Sequence, residues 1–329
     1  MSIIWKVVGA IAIIVIVLVA VIVITSEPEE EKVVTNEDRL AAIPNSAVKF
    51  TPSNDSYAPF VHNASWSQPV PWPGPVNTAG AEDSPYMTEN GTWFFFFFTP
   101  DMNIPANEQL LDGVTGIWWT QKVGGSWTAP ERIILNDDVS LDGAESVVGT
   151  TMWFGSVRAG NTGEIDVYSS EFEDGKWGNV ENLGDQLNSE YDIGEFHLMA
   201  NMSTLYFHTG NVGFGENMDL WVTQKTGNSW GTPVPIAELN TEATEGYPYV
   251  TPDGNELWFT STSGLGYTGP AIFRSIKQPN GTWGAPEEII SNFAGECTID
   301  PDGNIYFVHH YFKPPSTLYE ADIYVAYKQ

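Results

Sequence analysis

The residues of this chain that could do chemistry are mostly acidic, and they recur. Ser84, Glu145, Glu195, Tyr247 and Glu296 each stand two positions before an apolar pair at the start of a strand-like stretch. Glu82, Asp83, Asp142, Asp192 and Glu245 lie within a few residues of that position. Carboxylates gathered in this way can hold a divalent cation such as calcium through hard oxygen ligands, or accept hydrogen bonds from sugar hydroxyls. Where like charges crowd, one carboxyl keeps its proton and can donate it, which makes Glu145, Glu195 and Glu296 the candidate catalytic acids. Arg158, His309 and Tyr311 stand at or just beyond the ends of the following strands. They would add a guanidinium, an imidazole and an aromatic plane to the same candidate ligand-binding set. His309 and His310 are adjacent and point to opposite faces of a strand, so at most one reaches a shared centre. A plainer use of the recurrent acids is to bond main-chain amides at each strand start. In the same vein, His197 and His208 read as satisfied strand residues and Arg158 as the partner of Asp166. No His/Cys metal signature, glycine-rich phosphate loop or Ser/His/Asp arrangement is present.

What must position these residues is a repeat. A turn residue, Trp, two residues and usually Pro recur at Trp66, Trp127, Trp177, Trp230 and Trp283, with spacings of 61, 50, 53 and 53 residues. A period near 50 with strand character throughout indicates propeller blades. Each repeat continues with an inner strand such as Tyr247–Thr251 and a tight turn such as Asn90-Gly91, Asp253-Gly254 or Asp302-Gly303. In those turns Gly supplies the positive φ that a hairpin needs. Aromatic second strands follow, among them Trp93–Phe98 and Leu257–Phe259, then third strands such as Gly116–Trp118 and Asp322–Tyr324. The last repeat lacks a Trp strand, while Trp66–Val76 is an orphan one ahead of the first inner strand. The expected fold is therefore an all-β, five-bladed propeller of four-stranded antiparallel blades, closed by the N-terminal strand. In a propeller the inner strands line the channel, so the acids should ring one mouth, where the loops after the second strands also gather.

Ser156–Gly160 followed by Asp166-Val167-Tyr168 and Gly175-Lys176-Trp177, with Pro252-Asp253-Gly254 in a neighbouring repeat, resembles the WD40-like repeat of TolB-type propellers. The resemblance spans roughly residues 66 to 329. It implies the fold and structural Asp–Arg contacts, and says little of function, because such repeats serve translocation proteins, peptidases and other envelope proteins. Val180 replaces Pro, and Gly116 and Ala271 replace the third-strand Asp. Arabinanase-like five-bladed propellers place Asp, Asp and Glu on successive inner strands; Ser84, Glu145 and Glu195 depart from that order.

Val7–Ile24 is an unbroken run of apolar and small residues. At about 1.5 Å per residue it covers roughly 27 Å, enough to cross a hydrocarbon core. Lys6 precedes it, and Glu27, Pro28 and Glu29–Glu31 follow. The positive-inside bias then puts residues 1–6 in the cytoplasm, makes 7–25 a single-pass signal anchor, and places the rest outside, at the cell surface or in the periplasm. Residues 26–61 are polar and contain Pro28, Pro44, Pro52 and Pro59, which reads as an acidic stalk or linker before a propeller over 62–329. With 13 basic against 42 acidic residues, a formal charge of −29 excludes nucleic acid as a partner. Cys297 is the single cysteine, so no internal disulfide can form, and it reads as a small buried apolar residue. Five Asn-x-Ser/Thr sequons, at Asn54, Asn63, Asn90, Asn201 and Asn280, suit an exposed surface.

The expected function is a membrane-anchored, extracytoplasmic binding module for a glycan or an envelope protein. A glycoside hydrolase or lyase and a structural surface scaffold are the alternatives. The membrane reading predicts that the full-length chain sediments with membranes, resists carbonate extraction and is released by detergent, and that protease added outside the cell digests residues 62–329. Recovery in the soluble fraction would overturn it.

Overall fold

The computed structural model describes residues 33–329 except 110, 136–139, 164, 189–192, 210–217, 265–268 and 314–316. Residues 7–25, expected as the anchor, and Asp192 lie outside the described residues. Among those described, no helix is long and apolar enough to cross a membrane.

The strands form five antiparallel sheets, one per blade. Their inner strands are Ala81–Met87, Asp142–Val148, Ile193–Leu198, Glu245–Val250 and Ala294–Ile299, numbered here as blades 1 to 5. Within each blade the chain zigzags outward, and aromatic second strands pack on the neighbouring sheets. Between blades 5 and 1, for example, Phe94 and Phe96 meet Tyr306, Val308 and Ile323 over a buried Trp72. Closure is as the repeat pattern requires: Val70 pairs with Val325 and Pro71 with Tyr324, with a further bridge from Trp66 to Lys328. A second N-terminal strand, Phe60–Val61, pairs with Glu287–Ser291 on the outer edge of blade 4.

The segment expected as a stalk is, from Val34 onward, part of the folded unit. Helix α1 (Asn36–Ala42) starts at a capping box between Thr35 and Asp38. It buries Arg39 completely, 2.6 Å from Glu82 and over the rings of Phe98 and Phe96. Lys49 pairs with Glu320 and Asp322 of blade 5, and Asp55 lies 2.9 Å from His309. A polar, proline-bearing stretch is held here by a few buried charges together with apolar contacts from Val34, Ala42, Ile43 and Phe50. Those partners lie 43 and 271 residues away in sequence for Arg39 and Lys49, out of reach of local pattern reading.

Around the channel the blades are tied by a belt of hydrogen bonds from one inner strand to the next. Tyr86 donates its hydroxyl to the Val147 carbonyl, and Tyr249 to that of Ile299. Ser146 Oγ accepts from the Leu198 N–H, and Thr298 Oγ1 from the Met87 N–H. His197 bonds the main chain of Val250. These groups are buried, so each lost partner strands a polar atom away from water. Thr298→Val keeps the shape but removes the acceptor for Met87, and should lower the unfolding free energy by about 1–3 kcal/mol in urea titration. Thr282→Val, on an exposed turn, should change it by less than about 0.5 kcal/mol. Equal effects would show that the belt contributes nothing.

Candidate functional site

Every inner strand carries a β-bulge, at Asp83/Tyr86, Gly143/Ser146, Ile193/Phe196, Gly246/Tyr249 and Gly295/Thr298. A bulge sets two residues against one, and turns consecutive side chains towards the same side. The bulged residues are Ser84, Ala144, Glu195, Tyr247 and Glu296. Four of them are left-handed without being glycine: Ser84 (φ 47°), Ala144 (56°), Tyr247 (55°) and Glu296 (51°). Each costs about 1–2 kcal/mol, and four strained residues at equivalent places on one ring are held there by the surrounding strands. Neighbouring blades satisfy the displaced amides: Tyr247 N–H donates to His208 Nδ1 at 3.1 Å, and Glu296 N–H to Thr260 Oγ1 at 2.9 Å. The residue before the bulge is Gly in blades 2 to 5, because those side chains fill the space. A Cβ at Gly194 would stand 2.0 Å from the His208 ring. In blade 1 the same place holds Asp83, which therefore projects into the channel mouth.

The sequence register is corrected in blade 2. The bulge residue there is Ala144, and Glu145 is one place further on, level with Pro85 and Pro248. It still lines the channel, because the bulge faces both residues inward. The result is a small cavity of about 40 Å³ walled by Glu145, Glu195, Glu296, Ser84, Tyr247 and His197. Ser84 links its members, its Oγ lying 3.1 Å from both Glu195 and Glu296. Asp83 hydrogen-bonds Glu296 and lies 3.5 Å from His310. Glu145, at the base, is 4% exposed, and no other residue donates a hydrogen bond to its carboxyl oxygens.

Crowding and burial set the protonation. Burial pushes Glu145 up to about 8 against a contact with its own main-chain N–H, and the charges of Glu195 and Asp83 add to it; burial and Asp83 push Glu195 up to about 8. Burial and the charges of Asp83 and Glu195 also raise Glu296 well above the usual carboxyl range. Asp83 goes the other way: against the penalty of burial, His310 and hydrogen bonds hold it below its ordinary value. The ring is thus an ionised Asp83 sharing a proton with Glu296, beside two more carboxyls that are neutral at moderate pH. Burial lowers His197 and His208 to about 4, so both are neutral rings, as satisfied strand residues should be. It raises the Cys297 thiol, which is an inert wall residue here.

Several expected site residues lie elsewhere. Glu82 and Glu245, just before the bulges, face away from the channel and staple their own surroundings. Glu82 is held by Arg39 and accepts the Thr78 N–H, and Glu245 accepts from the Thr241 N–H and Ser261 Oγ. Asp142 pairs with Arg158 at 2.9 Å, so Arg158 meets Asp142 and not Asp166, whose carboxylate accepts from the Thr162 N–H and Asn182. His309 is buried on Asp55, so the imidazole at the channel mouth is His310. Tyr311 is buried too, bonded to Tyr324 at 2.8 Å, and offers no exposed plane. Ser84, at the repeat position the sequence marks, and His310, rather than its neighbour His309, belong to the cluster. Among the described residues no three His, Cys, Asp or Glu side chains converge in a metal-holding arrangement.

On the face where the inner strands begin, a larger groove of about 430 Å³ runs between residues 44–50, Ala79–Ala81 and Pro100–Asn103. Its aromatic edge is Phe50 stacked on Tyr319, with centroids 5.2 Å apart.

No protein-family model matches the sequence, and no curated protein matches it. Among solved structures it is similar to TolB from Acinetobacter baumannii, at 12% identity and a TM-score of 0.41 over 78% of this chain and 56% of that one. It is also similar to a Dyadobacter fermentans protein of unknown function, at 9% identity, TM-score 0.43, over 77% and 76% of the two chains. An α-L-arabinofuranosidase from Fusarium graminearum gives 11% identity, TM-score 0.40, over 75% and 96%. The chain thus spans just over half the length of TolB. The five blades themselves rest on the strand pairing described above.

Glu145 and Glu195 hold their protons to about pH 8 in the folded chain, against about 4.5 for the unfolded carboxyl. The native state binds more protons across that window, so their stabilisation is complete below about pH 4.5 and is lost as pH rises through 8. Thermal melts should therefore fall steadily from pH 5 to pH 9, each acid contributing on the order of a few kcal/mol. Glu145→Gln, neutral at every pH, should flatten the curve and melt higher than wild type at pH 9. An unchanged slope would contradict the buried cluster.

Proposed function

We propose that this chain is a binding module, displayed outside the cytoplasm by its N-terminal hydrophobic segment, that engages an envelope or extracellular ligand through the acidic channel mouth. The observation that carries this reading is Glu145: a carboxyl held at the base of an open cavity with no hydrogen bond from any other residue, in a ring whose bulges hold strained backbone. A propeller serving only as a scaffold has no use for such a group, since a satisfied or apolar side chain would be more stable there.

Geometry favours binding over glycoside hydrolysis. Hydrolysis needs a sugar ring seated between two carboxyls. A cavity of about 40 Å³ holds about three water-sized groups, well short of a sugar.

The test is binding of the detergent-solubilised full-length chain to arrays of glycans and of peptides, wild type against Glu195→Gln. A wild-type signal that falls at least about tenfold in the variant, the loss of one charge-assisted hydrogen bond, is the expected result. Silence on both arrays, or equal signals from the two proteins, would overturn the proposal.

A further inference from the structure

The chemical class of ligand can be read from what the cavity lacks. Glu145, Glu195 and Glu296 present oxygens to one small space, and the donors reaching them there are few. Ser84 serves Glu195 and Glu296, while no other residue donates to Glu145. Its carboxyl is buried, so bulk water compensates it less than it would a surface acid. The missing component is a compact group with several N–H or O–H donors and a positive charge.

Three candidates meet that description: a metal ion, a guanidinium and an ammonium. A hard cation such as calcium takes six to eight oxygen ligands, more than Glu145, Glu195, Glu296 and Ser84 supply. A guanidinium is a flat fork that calls for two parallel oxygens and a broad slot. The cavity is compact, at about 40 Å³, with Tyr247 among its lining residues, and is small for that fork. A primary ammonium is a point charge with three donors on a slender stem, suited to separate acceptors and an aromatic wall. Ser84, Glu195, Tyr247 and Glu296 are partly exposed while Glu145 is buried beneath them, so the stem would point outward through the channel mouth. A formal charge of −29 draws cations towards this protein from a distance.

We propose that the channel cavity receives a primary ammonium group at the end of an unbranched chain, with Glu145, Glu195 and Glu296 as its acceptors and the Tyr247 ring as its wall. This inference rests on the binding reading above and names the ligand chemistry of the same site. A lysine side chain of a partner protein and a free alkylamine share that chemistry.

Binding must displace the protons the cluster carries. Around the pocket these sit on Glu145, Glu195 and the Asp83–Glu296 pair. His310 faces Asp83; the neutral His197 and His208 flank the wall, and the Tyr86, Tyr247 and Tyr249 phenols and the Cys297 thiol are all raised by burial. Affinity should therefore rise with pH through about 8, where Glu145 and Glu195 ionise, and fall again above about 10.4 as the amine itself loses its charge.

The experiment is calorimetric and thermal-shift titration of the full-length chain with butylammonium, Nα-acetyl-lysine methylamide, tetramethylammonium and calcium, at pH 6 and pH 9. Expected are binding by the first two ligands at pH 9, roughly tenfold weaker for each pH unit below 8 per proton displaced, and no binding by tetramethylammonium, which has no N–H to donate. Glu145→Gln should weaken both ligands at least about tenfold, with circular dichroism confirming its fold and Glu195→Gln serving if it fails to fold. Tighter binding of the lysine derivative would assign a protein lysine as the source, and tighter binding of butylammonium a free amine. No butylammonium binding at pH 9, equal binding by wild type and variant, equal binding of tetramethylammonium, or a response to calcium alone would each overturn the inference. An array signal that depends on Glu195 without any response to butylammonium would leave the binding reading standing and remove this one.

Discussion

The arrangement depends on the hydrogen bonds that pass from each inner strand to the next around the channel. Tyr86, Ser146, His197, Tyr249 and Thr298 hold equivalent places, and each reaches main chain of the following blade. The belt fixes the radius at which five strands meet, and with it the separation of the side chains one turn above. Just there the strands bulge, and the cost of the left-handed bulge residues is borne by a ring that cannot relax outward. The acidic cavity is therefore a product of the ring geometry. Its carboxyls are brought together by blades that are locked for other reasons.

Two kinds of buried acid coexist within a few residues of each other, and their neighbours separate them. Glu82 has Arg39, two contacts from Thr78 and a place in the packing between blades 5 and 1, which hold it at about 7 against the cost of burial. Glu145 has like charges and no donor from another residue, so it stays protonated until about pH 8. One residue type serves as a staple in the first case and as an unfilled receptor in the second. Removing Arg39 would leave an uncompensated buried carboxylate, whereas neutralising Glu145 relieves one.

The fold was legible because its signals are local and repeated. The Trp period, the Asn-Gly and Asp-Gly turns and the displaced Trp66 strand each follow from short-range chemistry, and together they specify blade number and closure. The channel acids were legible as a ring, but not in register, because a bulge breaks the strict alternation on which strand reading relies. That is how Glu145 was assigned the bulge position held by Ala144. A signal was available in the glycine that precedes the bulge at Gly143, Gly194, Gly246 and Gly295, which fixes the register independently. The roles of Glu82, His309 and Tyr311 were not legible, since Arg39, Asp55 and Phe50, which cover them, come from a stretch whose polarity and prolines resemble a tether. Reading those partners requires knowing which segments lie over which blades, and no local pattern carries that.

The N-terminal strands have a consequence for the order of events during synthesis. Phe60–Val61 waits for Glu287–Ser291, and Val70 for Val325, so the earliest ribbon of the domain stays unpaired until nearly the whole propeller has been made. Loop closure over such separations is slow, and an unpaired edge is open to the wrong neighbour in the meantime. A nascent chain of this design completes its ring late and in one concerted step. Shortening it from the carboxyl end would forfeit more than the last strand, because it would free the first ones as well.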